Sequence, residues 1–291
     1  MKLRDFARVA LLALVATAIE AGCRSAPRAN VPEPFFFIQM SDPQFGMFTA
    51  NKDFAQETVN FERAIAAANR LHPAFVVITG DLTNAQGDAA QIAEYHRISR
   101  KLDPGIPLYS IPGNHDVGLP LSSESVRAYR QAYGRDYYTF ENHGVFGIVI
   151  NSTLFKEPAL APAEAAAQED WLRSTLASAR GAGHQRIMVF QHHSWFLTDA
   201  SEPDQYFNLP SVKRREMLEL MKSAGVSHVF AGHYHRTAFG RDGPLEMVTT
   251  GPVGKPLGAD SSGIRIVVVD GGTVTHRYVA LDSIPVRVLP R

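Results

Sequence analysis

The chain has 291 residues, of which 45% are hydrophobic and 20% are charged, as is typical of a folded globular protein. Lysine and arginine together number 29, and aspartate and glutamate also number 29, so the net charge is close to zero. This balance argues against a polyanionic partner, and we predict no binding to nucleic acid. The length suits one large α/β domain or two small ones.

The first part of the chain has the pattern of a secretory signal peptide. Three basic residues, Lys2, Arg4 and Arg8, precede the apolar run 9–19. That run is too short to span a bilayer as a mature helix but suits the apolar core of a signal sequence. We therefore predict a signal peptide over residues 1–22 and an exported protein of the periplasm or cell envelope.

The residues after this segment allow two interpretations. Cleavage before Cys23, the only cysteine in the chain, would give a lipoprotein lipidated on that residue. Glu20 departs from the usual lipoprotein pattern, and cleavage within 16–21 would instead release a soluble protein. We favour the lipoprotein, because a lone cysteine has no partner for an internal disulfide. A lipid anchor would be the only membrane contact, with residues 23–34 as a tether and residues 35–285 as the folded domain.

From residue 35 onward, segments typical of strands alternate with segments typical of helices. The predicted strands are 35–40, 75–79, 108–111, 137–140, 145–150, 186–190, 226–231, 245–250, 264–269 and 274–281, with a turn at 142–144. The predicted helices lie around 54–68, 92–102, 165–179 and 217–224. This alternation predicts a single α/β domain, and the additional C-terminal strands predict more than one sheet.

Five of the predicted strands lead directly into loops that are rich in metal-ligand side chains. In chain order these loops are Ser41-Asp42-Pro43-Gln44, Gly80-Asp81-Leu82-Thr83-Asn84, Pro112-Gly113-Asn114-His115-Asp116, Gln191-His192-His193 and Gly232-His233-Tyr234-His235. Each motif alone is a weak signal, since a lone Gly-Asp is usually a turn. Loops at the carboxyl ends of strands meet at one edge of an α/β sheet, and their pooled carboxylates, amides and imidazoles suit two divalent cations.

These five blocks resemble the signature of the calcineurin-like metallophosphoesterases, and the resemblance extends from Phe35 to Leu281. The segments 41–46, 232–236 and 276–278 resemble the branch typified by calcineurin-like phosphoesterase domain-containing protein 1, also called complete S-transactivated protein 1. The resemblance implies a four-layer α/β/β/α sandwich. For that branch it implies serine/threonine phosphatase activity.

The resemblance also implies a role for each polar residue of the five loops. The first cation would be held by Asp42, Gln44, Asp81 and His235, and the second by Asp81, Asn114, His192 and His233. Asp81 would thus bridge both cations. His115 would face the substrate, Asp116 would orient His115 or brace its loop, and Asn84 would brace the Asp81 loop.

Gln44 occupies a position where the superfamily most often has histidine. Glutamine offers a neutral carbonyl oxygen instead of an imidazole nitrogen, and this favours harder ions such as Mg²⁺ or Mn²⁺. The branch itself has glutamine here, so Gln44 is no sign of inactivity. The choice among Mn, Mg, Fe and Zn stays open.

The expected reaction is hydrolysis of a phosphate monoester, including phosphoserine or phosphothreonine, by a metal-bound hydroxide. His115 would stabilise the transition state or protonate the leaving oxygen. Two alternatives remain. One is a phosphodiesterase or nucleotide pyrophosphatase on the same site, and the other is a non-catalytic surface lipoprotein. An exported enzyme would meet few intracellular phosphoproteins, and the sequence leaves the physiological substrate and the oligomeric state open.

Several residues near these motifs have two open interpretations. Phe45, Trp195 and Phe196 would either line a substrate pocket or pack in the core. Residues 250–254 would form a loop over the site or a plain connection, and 151–152 would point towards the site. His193 is interpreted as a loop residue, and His276 is assigned no role.

Overall fold

The computed structural model describes residues 33–118 and 120–289. The predicted signal peptide, the predicted lipidated Cys23 and nearly all of the tether 23–34 lie outside the described residues. Within the described ranges, no helix combines the length and hydropathy needed to cross a bilayer.

Two β-sheets form the centre of the fold. The strands are Phe35–Met40 (β1), Val76–Thr79 (β2), Leu108–Ile111 (β3), Tyr138–Asn142 (β4), Val145–Val149 (β5), Ile187–Phe190 (β6), Val226–Ala231 (β7), Ala238–Asp242 (β8), Leu245–Thr249 (β9), Gly263–Asp270 (β10) and Thr273–Ala280 (β11). The first sheet has the order β11-β10-β1-β2-β3, and the second has the order β4-β5-β6-β7-β9-β8. Strands β1, β2 and β3 are parallel in the first sheet, as are β5, β6, β7 and β9 in the second.

Helices cover the outer face of each sheet. They are Ala55–Leu71 (α1), Ala89–Ser99 (α2), Asn114–Val117 (α3), Ser123–Tyr133 (α4), Thr153–Lys156 (α5), Pro162–Gly181 (α6) and Ser211–Ala224 (α7). Apolar residues of α1, α2 and α4 pack on the first sheet, and those of α6 and α7 pack on the second. The predicted four-layer α/β/β/α sandwich is therefore confirmed.

Local sequence accounts for several element boundaries. Asp88 begins α2, because its side chain accepts hydrogen bonds from the backbone N–H groups of Ala90 and Gln91 at 3.0 and 2.9 Å. The hairpin β4–β5 turns through His143 and Gly144, both with positive φ (46° and 76°). Two such residues match the twist of paired strands, as the predicted turn at 142–144 requires.

An aromatic core fills the space between the two sheets. The Phe37 and Phe75 rings from the first sheet stack with centroids 4.5 Å apart, and Phe37 meets Phe230 of the second sheet edge-on at 5.5 Å. Phe190 stacks on Phe230 at 5.5 Å. These large, fully buried rings fix the spacing of the sheets, so the strand ends that carry the polar loops are held in a constant relation.

Candidate metal centre

The five polar loops meet at one end of the sandwich, where parallel strands of both sheets end. The loops after β1, β2 and β3 supply oxygen donors, and the loops after β6 and β7 supply nitrogen donors. The predicted ligands from the first sheet are Asp42, Gln44, Asp81 and Asn114, and those from the second are His192, His233 and His235. All seven are buried, at no more than 3% exposure.

The backbone at this end is held in an uncommon conformation. Asp42, Gln44 and Asp81 have φ values of 48°, 41° and 47°, and His233 and His235 have 68° and 54°. Positive φ is unfavourable for residues other than glycine and persists where the surroundings impose it. Here the Asp42 N–H donates to Gly80 O at 3.1 Å and the Gln44 N–H to Asp81 O at 2.9 Å. These bonds tie the first two loops together.

Gly232 allows the last loop to approach the first. A Cβ atom at this position would lie 1.8 Å from Ser41 Oγ and 2.6 Å from Asp42 Oδ2. No side chain fits that space, so the glycine is required for His233 to approach Asp42. The His233 N–H accordingly donates to Asp42 Oδ2 at 3.1 Å.

Each of the three histidines has one ring nitrogen bonded to a backbone carbonyl. His192 Nδ1 lies 2.9 Å from Thr79 O, and His235 Nδ1 lies 2.6 Å from Lys255 O. His233 uses its other nitrogen, with Nε2 3.3 Å from Tyr206 O. A carbonyl only accepts, so these bonds place a proton on the outer nitrogen, and in the neutral ring the inner nitrogen offers its lone pair.

The inner donor atoms form two overlapping groups. Ligand atoms of Asp81, His192 and His233 all lie within 4.8 Å of one another, and so do those of Asp42, Asp81 and His235. These are the carboxylate and histidine members of the two ligand sets that the resemblance implies. Asp81 belongs to both groups, as a bridging carboxylate must.

Two buried amides, in the loops after β1 and β3, offer further oxygen donors. Gln44 Oε1 is buried with no hydrogen-bond partner among the described residues, while its Nε2 donates to Asn84 Oδ1 at 3.1 Å. Asn114 Oδ1 lies 3.0 Å from His192 Nε2, an inner nitrogen. An unpaired buried acceptor is costly, and a cation beside it removes the cost. The donor set therefore fits two divalent cations.

The carboxylates control the electrostatics of this region. Burial alone would lower the pKa of His192, but Asp81 and Asp42 raise it to about 9. Burial would likewise raise the pKa of Asp81, but His192 and His115 hold it below its usual range. Burial and the adjacent His192 lower the pKa of His233 to about 3. The negative charge thus favours a cation between the two aspartates.

The two residues predicted to take part in catalysis have different surroundings. His115 is half-buried, with its Nδ1 2.8 Å from Asn84 O, while its backbone N–H donates to Asp81 Oδ1 at 2.9 Å. Asp116 is buried and accepts hydrogen bonds from the N–H groups of Leu82 and Gly113 at 2.9 and 2.8 Å. Burial, and then Asp81, raise the pKa of Asp116 to about 7. Of the two roles considered for Asp116, this geometry favours bracing the loops over orienting His115.

Burial and contacts place four of the neighbouring residues. Phe45, Trp195 and Phe196 are fully buried and pack in the core. Ser152 does reach the site, because its Oγ accepts hydrogen bonds from the N–H groups of His192 and His193 at 3.2 and 2.8 Å.

Tyr206 is a site residue that the sequence analysis did not identify. Its ring is 57% exposed, and its centroid lies 4.9 Å from that of His233. Lys156 Nζ donates to the carbonyls of Gln205 and Asn208 at 2.8 and 2.6 Å, which fixes the loop on both sides of Tyr206. The position follows from this tertiary contact, and the loop sequence has no periodicity that would reveal it.

Comparison with known proteins now assigns the family. The family model described as calcineurin-like phosphoesterase matches residues 37–237. The serine/threonine-protein phosphatase CPPED1 of Rattus norvegicus is 36% identical over 271 residues, which cover 88% of this chain and 87% of the rat protein. Its counterpart from Homo sapiens is 37% identical over 267 residues, covering 86% and 85%. The chain belongs to the calcineurin-like phosphoesterase family.

Solved structures of metallo-dependent phosphatases share the fold of this calcineurin-like phosphoesterase. The purple acid phosphatase PPD1 of yellow lupin (Lupinus luteus) has a TM-score of 0.63 at 14% identity, covering 86% of this chain and 52% of that chain. A dimetal phosphatase from Danio rerio has a TM-score of 0.57 at 14% identity, covering 83% and 98%. Together with the two donor groups, family membership makes the chain a dinuclear metal-dependent phosphoesterase.

Proposed function

We propose that seven side chains hold the two divalent cations, and that the enzyme hydrolyses phosphate monoesters. Asp42, Gln44, Asp81 and His235 form the first cation site, and Asp81, Asn114, His192 and His233 form the second. The observation that carries this assignment is the pair of donor groups sharing Asp81, each with ligand atoms within 4.8 Å. The unpaired, buried Oε1 of Gln44 supports the first site.

When bound, the cations supply Lewis-acid polarisation of the phosphoryl oxygens and activation of a water molecule. Backbone carbonyls fix the ring orientation of the three histidines, so these rings are already positioned before a cation binds. His115 protonates the leaving oxygen or stabilises its developing charge from Nε2, since Nδ1 is engaged by Asn84 O. Asp116 positions the loops that carry Asp81 and Asn114 and does not itself contact the substrate.

The proposed substrate class is a phosphoserine or phosphothreonine side chain. The CPPED1 relatives, which match over most of their length, are named serine/threonine-protein phosphatases. The half-exposed Tyr206 beside His233 offers a flat surface for the group that carries the phosphate. Burial, and then the charge of the Asp81 carboxylate, raise the pKa of the Tyr206 phenol.

The test is metal analysis of the purified chain together with hydrolysis of p-nitrophenyl phosphate, bis(p-nitrophenyl) phosphate and a phosphothreonine peptide. We expect two metals per chain and a monoester rate well above the diester rate, with activity on the peptide. A preference for the diester would replace this proposal with a phosphodiesterase. Bound metal without turnover of any ester would indicate a non-catalytic binding protein.

We also propose that the chain is exported to the periplasm or cell envelope and anchored by a lipid on Cys23. The support is the order of basic residues, apolar run and cysteine near the N-terminus. Mass spectrometry of the mature protein tests this directly. A diacylglyceryl adduct on an N-terminal Cys23 is expected. A mature N-terminus within 16–21 would show ordinary secretion, and an intact N-terminus would refute export.

A further inference from the structure

A continuous chain of buried hydrogen bonds connects the β10–β11 hairpin with the candidate metal centre. It passes through the gap between the two sheets, because Arg265, Gln39 and Thr79 belong to the first sheet and Thr250 directly follows β9 of the second. All its members are at most 5% exposed. Apart from Asp42, its last member, none of them has a role in the function proposed above.

The bonds follow one another without a gap. Arg265 Nε donates to Thr250 Oγ1 (2.7 Å), Thr250 Oγ1 to Gln39 Oε1 (2.5 Å), Gln39 Nε2 to Thr79 Oγ1 (3.1 Å), Thr79 Oγ1 to Ser41 Oγ (2.9 Å), and Ser41 Oγ to Asp42 Oδ2. We call this series the inter-sheet chain.

The direction of the inter-sheet chain is fixed at its ends. A guanidinium can only donate and a carboxylate oxygen accepts, so the series runs from Arg265 towards Asp42. The single hydroxyl proton of Thr79 has two acceptors, Ser41 Oγ at 2.9 Å and the carbonyl of Met40 at 3.2 Å, and the shorter bond continues the series. The middle is fixed as well, since Gln39 Nε2 also donates to the carbonyl of Ala231 at 3.0 Å, which sets the orientation of the amide. Bonds aligned in one direction polarise one another and strengthen the last of them.

The inter-sheet chain begins at Arg265, a buried cation that forms no ion pair with a carboxylate among the described residues. Arg265 also donates to Thr249 O at 3.2 Å and to His276 Nδ1 at 2.9 Å, and His276 Nε2 in turn bonds to Glu246 Oε1 at 2.7 Å. Burial lowers the pKa of Arg265 to about 10. Apolar residues could fill the same volume without this cost, so packing alone does not account for the arginine.

The inter-sheet chain ends at the Asp42 carboxylate, whose two oxygens have different contacts. Oδ2 accepts from Ser41 Oγ, and Oδ1 lies 3.4 Å from His235 Nε2. The His233 N–H is shared between the two oxygens, at 3.1 Å from Oδ2 and 3.3 Å from Oδ1. The inter-sheet chain thus fixes one oxygen and leaves the other directed at the first cation site. No comparable bond series reaches the second site's Asn114 among the bonds formed by the described residues.

We propose that Arg265, acting through Thr250 and Gln39, is a positioning residue for the first cation site and sets its affinity through the orientation and charge of Asp42. This rests on the proposed function, in which Asp42 is a ligand of that site. It gives a role to Arg265 and Gln39, for which the sequence alone indicated none.

The test breaks the inter-sheet chain at its middle. Thr250→Val keeps the shape of the side chain and removes the hydroxyl, whereas Thr250→Ser keeps the hydroxyl. Outer partners of metal ligands are typically worth about 10–100-fold in affinity. The metal-depleted full chain is titrated with Mn²⁺, and binding is measured by equilibrium dialysis and electron paramagnetic resonance. In Thr250→Val the affinity of one site, the first cation site, should fall about 10–100-fold. The other site should be unchanged, and Thr250→Ser should resemble the parent.

A destabilised variant remote from the chain separates positioning from general loss of structure. Leu176→Ala removes a fully buried side chain from α6, and we expect both Mn²⁺ affinities to stay at the parent values. Weakening of both sites to the same extent in Thr250→Val, or no weakening at all, would overturn the proposal. If Thr250→Val does not fold, Arg265→Lys, which keeps the charge but lacks the Nε donor, is judged by the same criteria. A parent chain that binds none of Mn²⁺, Mg²⁺, Fe²⁺ and Zn²⁺ would instead refute the proposed function.

Discussion

The side chain of His115 can be removed without disturbing the contacts that hold the candidate metal centre together. It is the backbone N–H of His115 that donates to Asp81 Oδ1, at 2.9 Å, and alanine retains that group. The imidazole itself bonds only to Asn84 O among the described residues, at 2.8 Å, and is half-buried. We therefore expect His115→Ala to keep its full complement of metal and to lose catalytic rate alone.

The expected loss of catalytic rate follows from the role of His115 as a proton donor. General acid catalysis contributes about 10²–10⁴-fold, which corresponds to about 2.7–5.4 kcal/mol of transition-state stabilisation. Since Asn84 O holds a proton on Nδ1, Nε2 has a proton to give only when the ring is doubly protonated.

Comparison of two leaving groups gives the decisive assay. Nitrophenolate leaves readily without a proton, so His115→Ala should lose much less rate on p-nitrophenyl phosphate than on a phosphothreonine peptide. His184→Ala is the matched control, because His184 precedes β6 at the opposite end of the strand and stacks on Phe146 at 4.3 Å. Equal losses on both esters would refute the acid role, and loss of metal would refute the argument from the backbone contact.

Three other perturbations test the ligands and the fold. Asp81→Asn removes the carboxylate shared by both donor groups. Metal analysis should therefore show that both cations are lost, and the catalytic rate should fall by at least about 10²–10³-fold. Retained metal and an unchanged rate would contradict the ligand scheme. Gln44→His replaces an oxygen donor with a nitrogen donor. In competition titrations the ratio of Zn²⁺ to Mn²⁺ affinity should rise about tenfold, which corresponds to about 1.4 kcal/mol. An unchanged ratio would exclude Gln44 as a ligand. Burial lowers the pKa of His228 from 6.5 to about 4, so the unfolded state binds more protons and the stability falls as the pH drops through that interval. Urea unfolding of His228→Phe at pH 7 and pH 5 should show a smaller fall than the parent, and an equal fall would exclude His228 as the cause.

The order of polar loops after strands was the most informative feature of the sequence. Buried strands such as 35–40 and 226–231 are short apolar runs, and the ligand residues follow them at once. Because parallel strands in one sheet place their carboxyl ends together, this order was enough to predict which side chains meet. The additional C-terminal strands predicted more than one sheet, and the family resemblance then supplied the four-layer arrangement and the division of the residues between two cations.

Four elements were absent from the sequence-based prediction, namely α3, α4, α5 and β8. Helices α3 and α5 have four residues each, too few to show a helical period. Helix α4 buries Ser125, Val126 and Tyr129 on one face, but its sequence is polar overall, so few apolar residues mark it. Strand β8 contains Gly240, which suggests a turn. A Cβ there would lie 2.2 Å from Thr198 O, so the glycine permits a close approach of two segments instead.

Contacts between residues distant in sequence were also beyond prediction. Thr250 and Gln39 are 211 residues apart, and neither lies in a recognisable motif with the other. The bonds from Asp116 to the Asp81 loop, and the position of Tyr206 over His233, likewise depend on how the sheets and loops pack. Residue type indicates the chemistry that a side chain offers, whereas only the fold determines its partner.

The division of donors between the sheets has a consequence for the order of events during folding. Oxygen donors come from one sheet and nitrogen donors from the other, and Asp42 and His233 are 191 residues apart in the chain. A metal ion therefore meets no complete ligand set in a partly folded chain, unlike in a zinc finger, where neighbouring ligands let the metal drive folding. Metal uptake should follow the docking of the two sheets, so a chelator present during refolding should leave the folding rate unchanged while it accelerates unfolding of the finished protein.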